Sequence, residues 1–391
     1  MGDGTVFTPD IGFVRGLKNS GADTMKQCYQ CATCSTVCEL TPKDNPFPRK
    51  EMVMAQWGLK DELAADPDIW LCHNCNDCSK YCPRGARPGD VLSVLRKAVI
   101  AENAFPRFMG TIVGNTKLLL VALLIPVVLF LCVLNASGHL NIPAGDVVFK
   151  NFFPVQLIDS IFVSTAMAVV FVFAISVGRF WRKLNVNPYK LMAHSMLLPS
   201  LFETLKEIFL HKKFQKCGAN IDRTWTHRLV LFGFIGLFIT TNWAVFNLYV
   251  LKWDSPYLIN DPNILLIFGS QAAVMLYYAA FKIFGNVSAL VLFIGALMLF
   301  TNRMKDKGVN SVSSSYDWIF ASIVFLVCIT GLAAEMLRVL ANNAQLAYPV
   351  YFVHLVLVFY IIAYLPYSKL AHMVYRTTAI VYAKMANRDV M

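Results

Sequence analysis

Cys28-Tyr-Gln-Cys31-Ala-Thr-Cys34-Ser-Thr-Val-Cys38 and Cys72-His-Asn-Cys75-Asn-Asp-Cys78-Ser-Lys-Tyr-Cys82-Pro83 hold eight of the eleven cysteines in this 391-residue chain. Both runs follow C-x2-C-x2-C-x3-C, the spacing of a two-cluster iron–sulfur ferredoxin. A cubane cluster needs four thiolates around one small volume. Cysteines at i, i+3 and i+6 wrap one corner of it, and the fourth ligates the other cluster. The expected ligand sets are therefore Cys28, Cys31, Cys34 and Cys82 for one 4Fe-4S cluster, and Cys72, Cys75, Cys78 and Cys38 for the second. Structural zinc takes paired C-x2–4-C ligands from separate loops, which leaves half of each run unexplained. Disulfides need an oxidising compartment. Met1 through Lys26 contain no apolar stretch of the secretory kind, so the cysteine-rich part is expected in the cytoplasm.

Outside these runs the chain turns apolar. Residues are 57% hydrophobic and 15% charged, too apolar for an ordinary soluble protein. The net charge of +11 is uneven: residues 1–112 hold 13 Lys/Arg and 13 Asp/Glu, whereas residues 113–391 hold 22 and 11. An excess confined to the apolar part fits basic loops at a membrane rather than a nucleic-acid surface. The expected organisation is all-α. A ferredoxin domain spans 1–112, with helices over Arg49–Gly58 and from Pro88 onward and a linker over Asn103–Asn115. A membrane domain spans 113–391.

Six spans of bilayer length are expected, at about 116–135, 157–178, 229–250, 282–301, 317–340 and 349–367, with 263–281 as a possible re-entrant stretch. Arg179, Arg182, Lys183, Lys190, Lys206, Lys212, Lys213, Lys216, Arg223 and Arg228 fall on one side. Arg303, Lys305, Lys307, Lys369, Arg376, Lys384 and Arg388 join them, against Lys150 and Lys252 opposite. The positive-inside rule puts both termini and the ferredoxin domain in the cytoplasm. Cys132, Cys217 and Cys328 belong to no motif, and the two in apolar spans read as packing residues.

Seven histidines remain: His73, His139, His194, His211, His227, His354 and His372. His73 lies within the second cysteine run, and His211 reads as a solvated loop charge. His354 and His372 are 18 residues apart, five turns of a continuous helix, so their rings would point the same way about 27 Å apart, with Pro366 between them as a kink that would offset the alignment. That suits one haem b ligand near each face of a bilayer. His227 opens the third span at the depth of His372, which predicts a bis-histidine haem there. Gly233 and Gly236 in that span allow close approach of a porphyrin or another helix. His354 lacks an evident partner, with His139, another residue type or no second ligand as the alternatives. Glu335 is a weak candidate for proton handling at a quinone site, with Arg338 and Asp159 near the same face.

These residues carry a resemblance. The cysteine runs, continued through Pro83-Arg84-Gly85 to Asp90-Val91, resemble the C-subunit of heterodisulfide reductase. The segment His227–Thr241 and the last histidine pair resemble the cytochrome b (E-type) component of that enzyme and the gamma subunit of respiratory nitrate reductase. The fusion is similar to the C-subunit family of quinone-interacting membrane-bound oxidoreductases (Qmo) of sulfate-reducing organisms. The resemblance implies that His227 and His372 hold the haem nearer the cytoplasm and His354 the outer one. Where the pattern has a second histidine in the third span, this chain has Leu237. It also implies menaquinol as donor, flavin- and cluster-bearing soluble subunits (heterodisulfide reductase A-like) as partners, and adenosine 5′-phosphosulfate (APS) reductase as acceptor, all at the inner membrane. A membrane subunit of a sulfite-reduction or heterodisulfide-type complex is the alternative. A redox-gated transporter is a remote one, since the chain shows no internal repeat of broken helices.

Overall fold

The structure is a computed structural model that describes residues 8–41, 45–186, 196–210, 222–253, 262–306 and 315–386. His194, His211, Cys217, Lys190, Lys212, Lys213, Lys216, Lys307 and Arg388 lie outside the described residues. Among the described residues every regular element is helical, with no strand.

The N-terminal part is built from α1 (Ile11–Leu17), α2 (Thr33–Thr36), α3 (Arg49–Trp57), α4 (Lys60–Ala64), α5 (Asp68–Leu71), α6 (Asp77–Lys80) and α7 (Pro88–Asn103). Local chemistry explains the boundaries. Asp10 caps α1 by accepting from Phe13 N at 2.8 Å. Gly58 ends α3 at φ +70, where an added Cβ would sit 2.7 Å from the Asp10 carbonyl oxygen, so chain reversal and close approach both select glycine. Pro88 opens α7 at its first position, where its missing N–H costs nothing. Val91, Leu92, Leu95 and Val99 then form the buried stripe of α7.

The stretch expected as a linker is instead helical. α8 (Arg107–Gly114) starts after Pro106 and folds back on α7, with Gly110 so close to Ala101 that a Cβ would lie 2.9 Å from its Cα. The membrane part continues with α9 (Thr116–Ala136), α10 (Phe149–Phe152), α11 (Val155–Asn185), α12 (Leu197–Leu210), α13 (Asp222–Tyr249), α14 (Pro262–Phe268), α15 (Gln271–Asp306), α16 (Ser315–Met336), α17 (Ala344–Ala363) and α18 (His372–Met385).

Among the described residues six helices are long and apolar enough to cross a membrane: Lys117–Ala136, Val155–Asn185, Thr224–Tyr249, Gln271–Lys305, Asp317–Ala341 and Ala344–Ala363. Most of the 263–281 stretch belongs to α15, whose 36 residues run about 54 Å. Cys328 is buried and gives its thiol hydrogen to Val324 O at 3.2 Å. Cys132 is exposed on the outside of α9 rather than packed inside. α12 turns Ser200 and Thr204 inward and Leu198, Phe202 and Phe209 outward, the pattern of a helix lying at a membrane interface.

One expectation about the last span fails. His354 and His372 do not share a helix. α17 ends at Ala363, two short 3-10 turns cover Leu365–Tyr367 and Lys369–Ala371, and His372 begins α18. Pro366 cannot donate to the helical ladder, and Ser368 is extended, its side chain accepting from Leu370 N at 3.2 Å. The five-turn alignment therefore does not apply.

The two parts share an interior. Ile69, Trp70, Leu95 and Val99 pack in one cluster with Phe180 and Leu184 of α11 and Tyr375, Ala379 and Tyr382 of α18. Polar ties reinforce it. Arg179 donates to Ala104 O at 2.8 Å and Tyr382 to Leu184 O at 2.8 Å, while Glu102 pairs with Lys60 at 2.7 Å and Lys183 at 3.6 Å.

Candidate electron-transfer sites

The two cysteine runs are built alike. In the first, Gln30 (φ 60) and Ala32 (φ 69) are left-handed; in the second, Asn74 (φ 57) and Asn76 (φ 66) occupy the matching positions. These reversals turn successive cysteines toward one centre, and each loop then enters a one-turn helix, α2 or α6. Asparagine tolerates this conformation well, whereas Ala32 adopts it at a cost.

Each cavity draws three cysteines from one run and one from the other. Cys28, Cys31, Cys34 and Cys82 line the first, with Arg49 and Arg84 at its rim. Cys72, Cys75, Cys78 and Cys38 line the second, beside His73. Donors point at the sulfurs. Gln30 Nε2 reaches Cys28 Sγ at 3.2 Å, Asn74 N reaches Cys72 Sγ at 3.3 Å, and Ala86 N reaches Cys82 Sγ at 3.4 Å. Burial, with Cys28 and Cys82 nearby, pushes the Cys34 thiol up to about 11. Burial, with Cys72 and Cys75 adding to it, pushes Cys38 up to about 12 and raises Cys78 as well. Packed thiolates repel unless a cation neutralises them, and iron supplies that charge. The donor set thus fits two four-thiolate clusters.

The second cavity is joined to the membrane part. His73 Nδ1 meets Arg376 Nη2 of α18 at 2.6 Å. Trp70, two residues before Cys72, stacks on Tyr375 with ring centroids 5.3 Å apart, and Phe180 meets both rings edge-on. Arg96 braces the turn by donating to Ile69 O at 2.8 Å and Cys72 O at 2.9 Å.

Tyr375 stands one turn after His372 on α18. His372 shares its surroundings with His227 of α13, Arg376 and Lys369. Burial, with His227 and Arg376 beside it, pushes His372 down to about 3, so the ring is neutral at ordinary pH. Its Nδ1–H goes to the Lys369 carbonyl, which leaves Nε2 as the free lone pair, the usual arrangement of a metal-ligating imidazole. Two neighbouring histidines fit the ligand pair of a haem; of the flanking cations, Lys369 is ion-paired with Asp317 and Arg376 meets His73.

His354 is placed differently. Its Nδ1 lies 3.1 Å from Thr330 Oγ1, and its ring covers Gly331, where a Cβ would stand 2.9 Å from Cε1. No second histidine is among its contacts in the described residues. His139 binds its own loop through Nδ1 and Ser137 O at 2.7 Å. The glycines of the third span serve a helix rather than a porphyrin. Gly233 abuts Leu292 and Gly236 abuts Ser288, so α13 and α15 cross at close range. Glu335, one turn beyond Gly331, pairs with Lys282 at 2.5 Å and Arg338 at 2.8 Å. Tyr249 at the C-terminal end of α13 donates to Asp159 near the start of α11 at 2.6 Å.

Lys50 forms a further charged group, with Glu51, Asp66 and Asp68 at 3.1, 2.9 and 3.0 Å, all three carboxylates buried. The ammonium occupies the place a metal ion would take. This centre escapes sequence reading because the four residues scatter over α3 and the approach to α5. The Trp70–Tyr375 stack and the His73–Arg376 contact escape it too, being about 300 residues apart in the chain.

Residues 24–86 match the family described as 4Fe-4S dicluster domain, and residues 262–348 match the nitrate reductase gamma subunit. The second match includes Glu335 but stops short of His227, His354 and His372. The molecule thus joins a domain that matches iron–sulfur dicluster proteins to a bundle of helices long and apolar enough to cross a membrane, part of which matches the nitrate reductase gamma subunit.

Its iron–sulfur domain is related to the C-subunits of heterodisulfide reductases. The C-subunit of the H2:CoB-CoM heterodisulfide, ferredoxin reductase of Methanothermobacter marburgensis is 34% identical over 88 residues, 22% of this chain and 47% of that protein. The heterodisulfide reductase C-subunit-like protein of Archaeoglobus profundus is 35% identical over 89 residues, again 22% and 47%. The C-subunit of the ferredoxin:CoB-CoM heterodisulfide reductase of Methanosarcina mazei is 27% identical over 86 residues, 22% and 52%. The chain spans about half the length of the curated relatives it matches. No solved structure matches it.

Proposed function

We propose that this chain is the membrane electron-transfer subunit of a quinone-interacting oxidoreductase. It draws electrons from menaquinol and delivers them to cytoplasmic flavin- and cluster-bearing subunits, and through them to APS reductase. The observation that carries this reading is the continuity of the sites. The second cysteine quartet, Trp70, Tyr375, His372 and His227 follow one another across the joint between the two parts.

In this reading Cys28, Cys31, Cys34 and Cys82 hold one 4Fe-4S cluster, and Cys72, Cys75, Cys78 and Cys38 the other. His227 and His372 hold a haem b. When bound, these groups supply one-electron carriage between a two-electron quinol and a soluble acceptor. The chain's own residues fix their separation and exclude water: Trp70, Phe180 and Tyr375 fill the joint with apolar rings. On the opposite face Glu335, held by Lys282 and Arg338, stands one turn from the His354 contact and is the candidate acceptor for a quinol proton. His354, with a single histidine at its site, is proposed as part of that quinone region or as the ligand of an outer haem. The basic residues Arg179, Lys183 and Lys384 lie on the iron–sulfur side, which supports a cytoplasmic placement of that domain.

The test is haem and iron quantification with EPR on purified protein reduced by a menaquinol analogue. Haem b absorbance together with two reduced-cluster signals is the expected result; no haem absorbance after dithionite would end the proposal. The relatives' names favour a second reading, a membrane subunit of a heterodisulfide-type complex. Co-purifying subunits separate the two.

A further inference from the structure

The two cysteine loops are one design used twice, and the second copy shows what the outer corner of the loop can receive. The residue after the first cysteine occupies that corner: Tyr29 in one run and His73 in the other. At His73 the chain docks its own α18, bringing Arg376 to 2.6 Å and stacking Tyr375 on Trp70 beside it. The equivalent corner of the first site faces outward. Tyr29 is 69% exposed, and Tyr81, which precedes the fourth cysteine of that site, is 55% exposed. Cys31 is exposed between them in sequence.

Cations frame these rings. The Arg84 guanidinium lies 4.2 Å from the Tyr29 centroid and the Lys80 ammonium 5.7 Å from that of Tyr81, while Arg49 lines the same site. This rim is basic although residues 1–112 balance at 13 charges of each sign. Exposed tyrosine and arginine side by side are the residue types that anchor protein interfaces. A basic rim also steers an acidic partner and sets its orientation.

We propose that the Tyr29–Tyr81 rim is the docking surface for a soluble redox protein with an acidic face, the external counterpart of the contact α18 makes at the second site. The proposal rests on the reading of the cysteine quartets as cluster sites. It assigns the first site as the one presented to the partner and the second as the one turned to the membrane part.

The experiment uses the full chain in nanodiscs of neutral lipid, with an acidic flavodoxin as probe and binding followed by biolayer interferometry at low and high salt. Salt-sensitive binding is expected, weakened tenfold or more in Lys80→Glu/Arg84→Glu and lowered in Tyr29→Ser/Tyr81→Ser, with Lys150→Glu unchanged. Unaltered binding by both rim variants overturns the proposal. So does equal binding of basic cytochrome c, or a wild-type preference for phosphatidylglycerol vesicles over flavodoxin that the rim substitutions abolish. Iron content and EPR are measured on every sample. Wild-type protein lacking both cluster signals overturns the underlying cluster reading, whereas intact clusters with rim-independent binding overturn the docking surface alone.

Discussion

Replacing Gly233 by alanine tests how tightly α13 and α15 are crossed. A methyl group there would lie 2.7 Å from the N, Cα and Cβ of Leu292 alike. Two of those are main-chain atoms, which cannot swing aside. Contact becomes ordinary at about 3.4 Å, so the crossing must open by about 0.7 Å. Forcing an extra carbon into a packed interior costs about 1–3 kcal/mol. The displacement also reaches a candidate ligand, because His227 lies six residues earlier on the same helix, about 9 Å along its axis. Gly233→Ala is therefore expected to melt at lower temperature and to hold less haem, with both iron–sulfur signals unchanged. Gly178→Ala is the control, since nothing lies within 4 Å of the Cβ it would add in α11. It should be neutral or gain up to about 1 kcal/mol from helix propensity. Thermal unfolding in nanodiscs and the dithionite-reduced difference spectrum give both readouts. Equal melting and equal haem in the two variants would refute the close-crossing argument.

Cys82→Ser should damage the site of Cys28, Cys31 and Cys34 despite its distance in sequence; EPR showing loss of the other cluster alone would contradict the crossed ligand sets. Ala32→Gly should relieve the left-handed strain at φ 69 and slow iron loss to a chelator, with a net gain of about 0.5–1 kcal/mol; faster loss would mean the loop carries no strain there. Burial opposes the charge on Glu102, but Lys60, Lys183 and Arg107 outweigh it and hold its carboxyl below the usual carboxylate range. Its contribution is therefore present above the ordinary carboxylate value and is lost as pH falls toward the depressed one. Glu102→Gln should flatten the acid side of a melting-temperature profile, and an unchanged profile would exclude this residue from the joint.

The cysteine spacing made the iron–sulfur fold legible because a cubane imposes a distance pattern on nearby residues, and that pattern survives in one dimension. The spans were equally plain, since a bilayer demands about 20 apolar residues in a row. What did not show was anything dependent on how helices end or meet. Pro366 announced a disturbance, but whether it would kink a helix or end one depended on Ser368 and the turns around it. Gly233 and Gly236 announced close approach without naming the guest, which Leu292 and Ser288 of α15 prove to be. Residues as remote as His73 and Arg376 carry no shared local signal at all.

The shared interior of Trp70, Phe180 and Tyr375 has a mechanical consequence. A cytoplasmic domain tied to a bundle by a flexible tether can swing, and its electron transfer can be gated by that swing. Here the joint is filled like the core of a single domain, so the spacing across it is set once, at folding. Under the proposed function, any control over the current must then act at the two ends, where quinone and soluble partner would come and go. Cutting the chain between the parts would leave two raw apolar faces rather than two working halves.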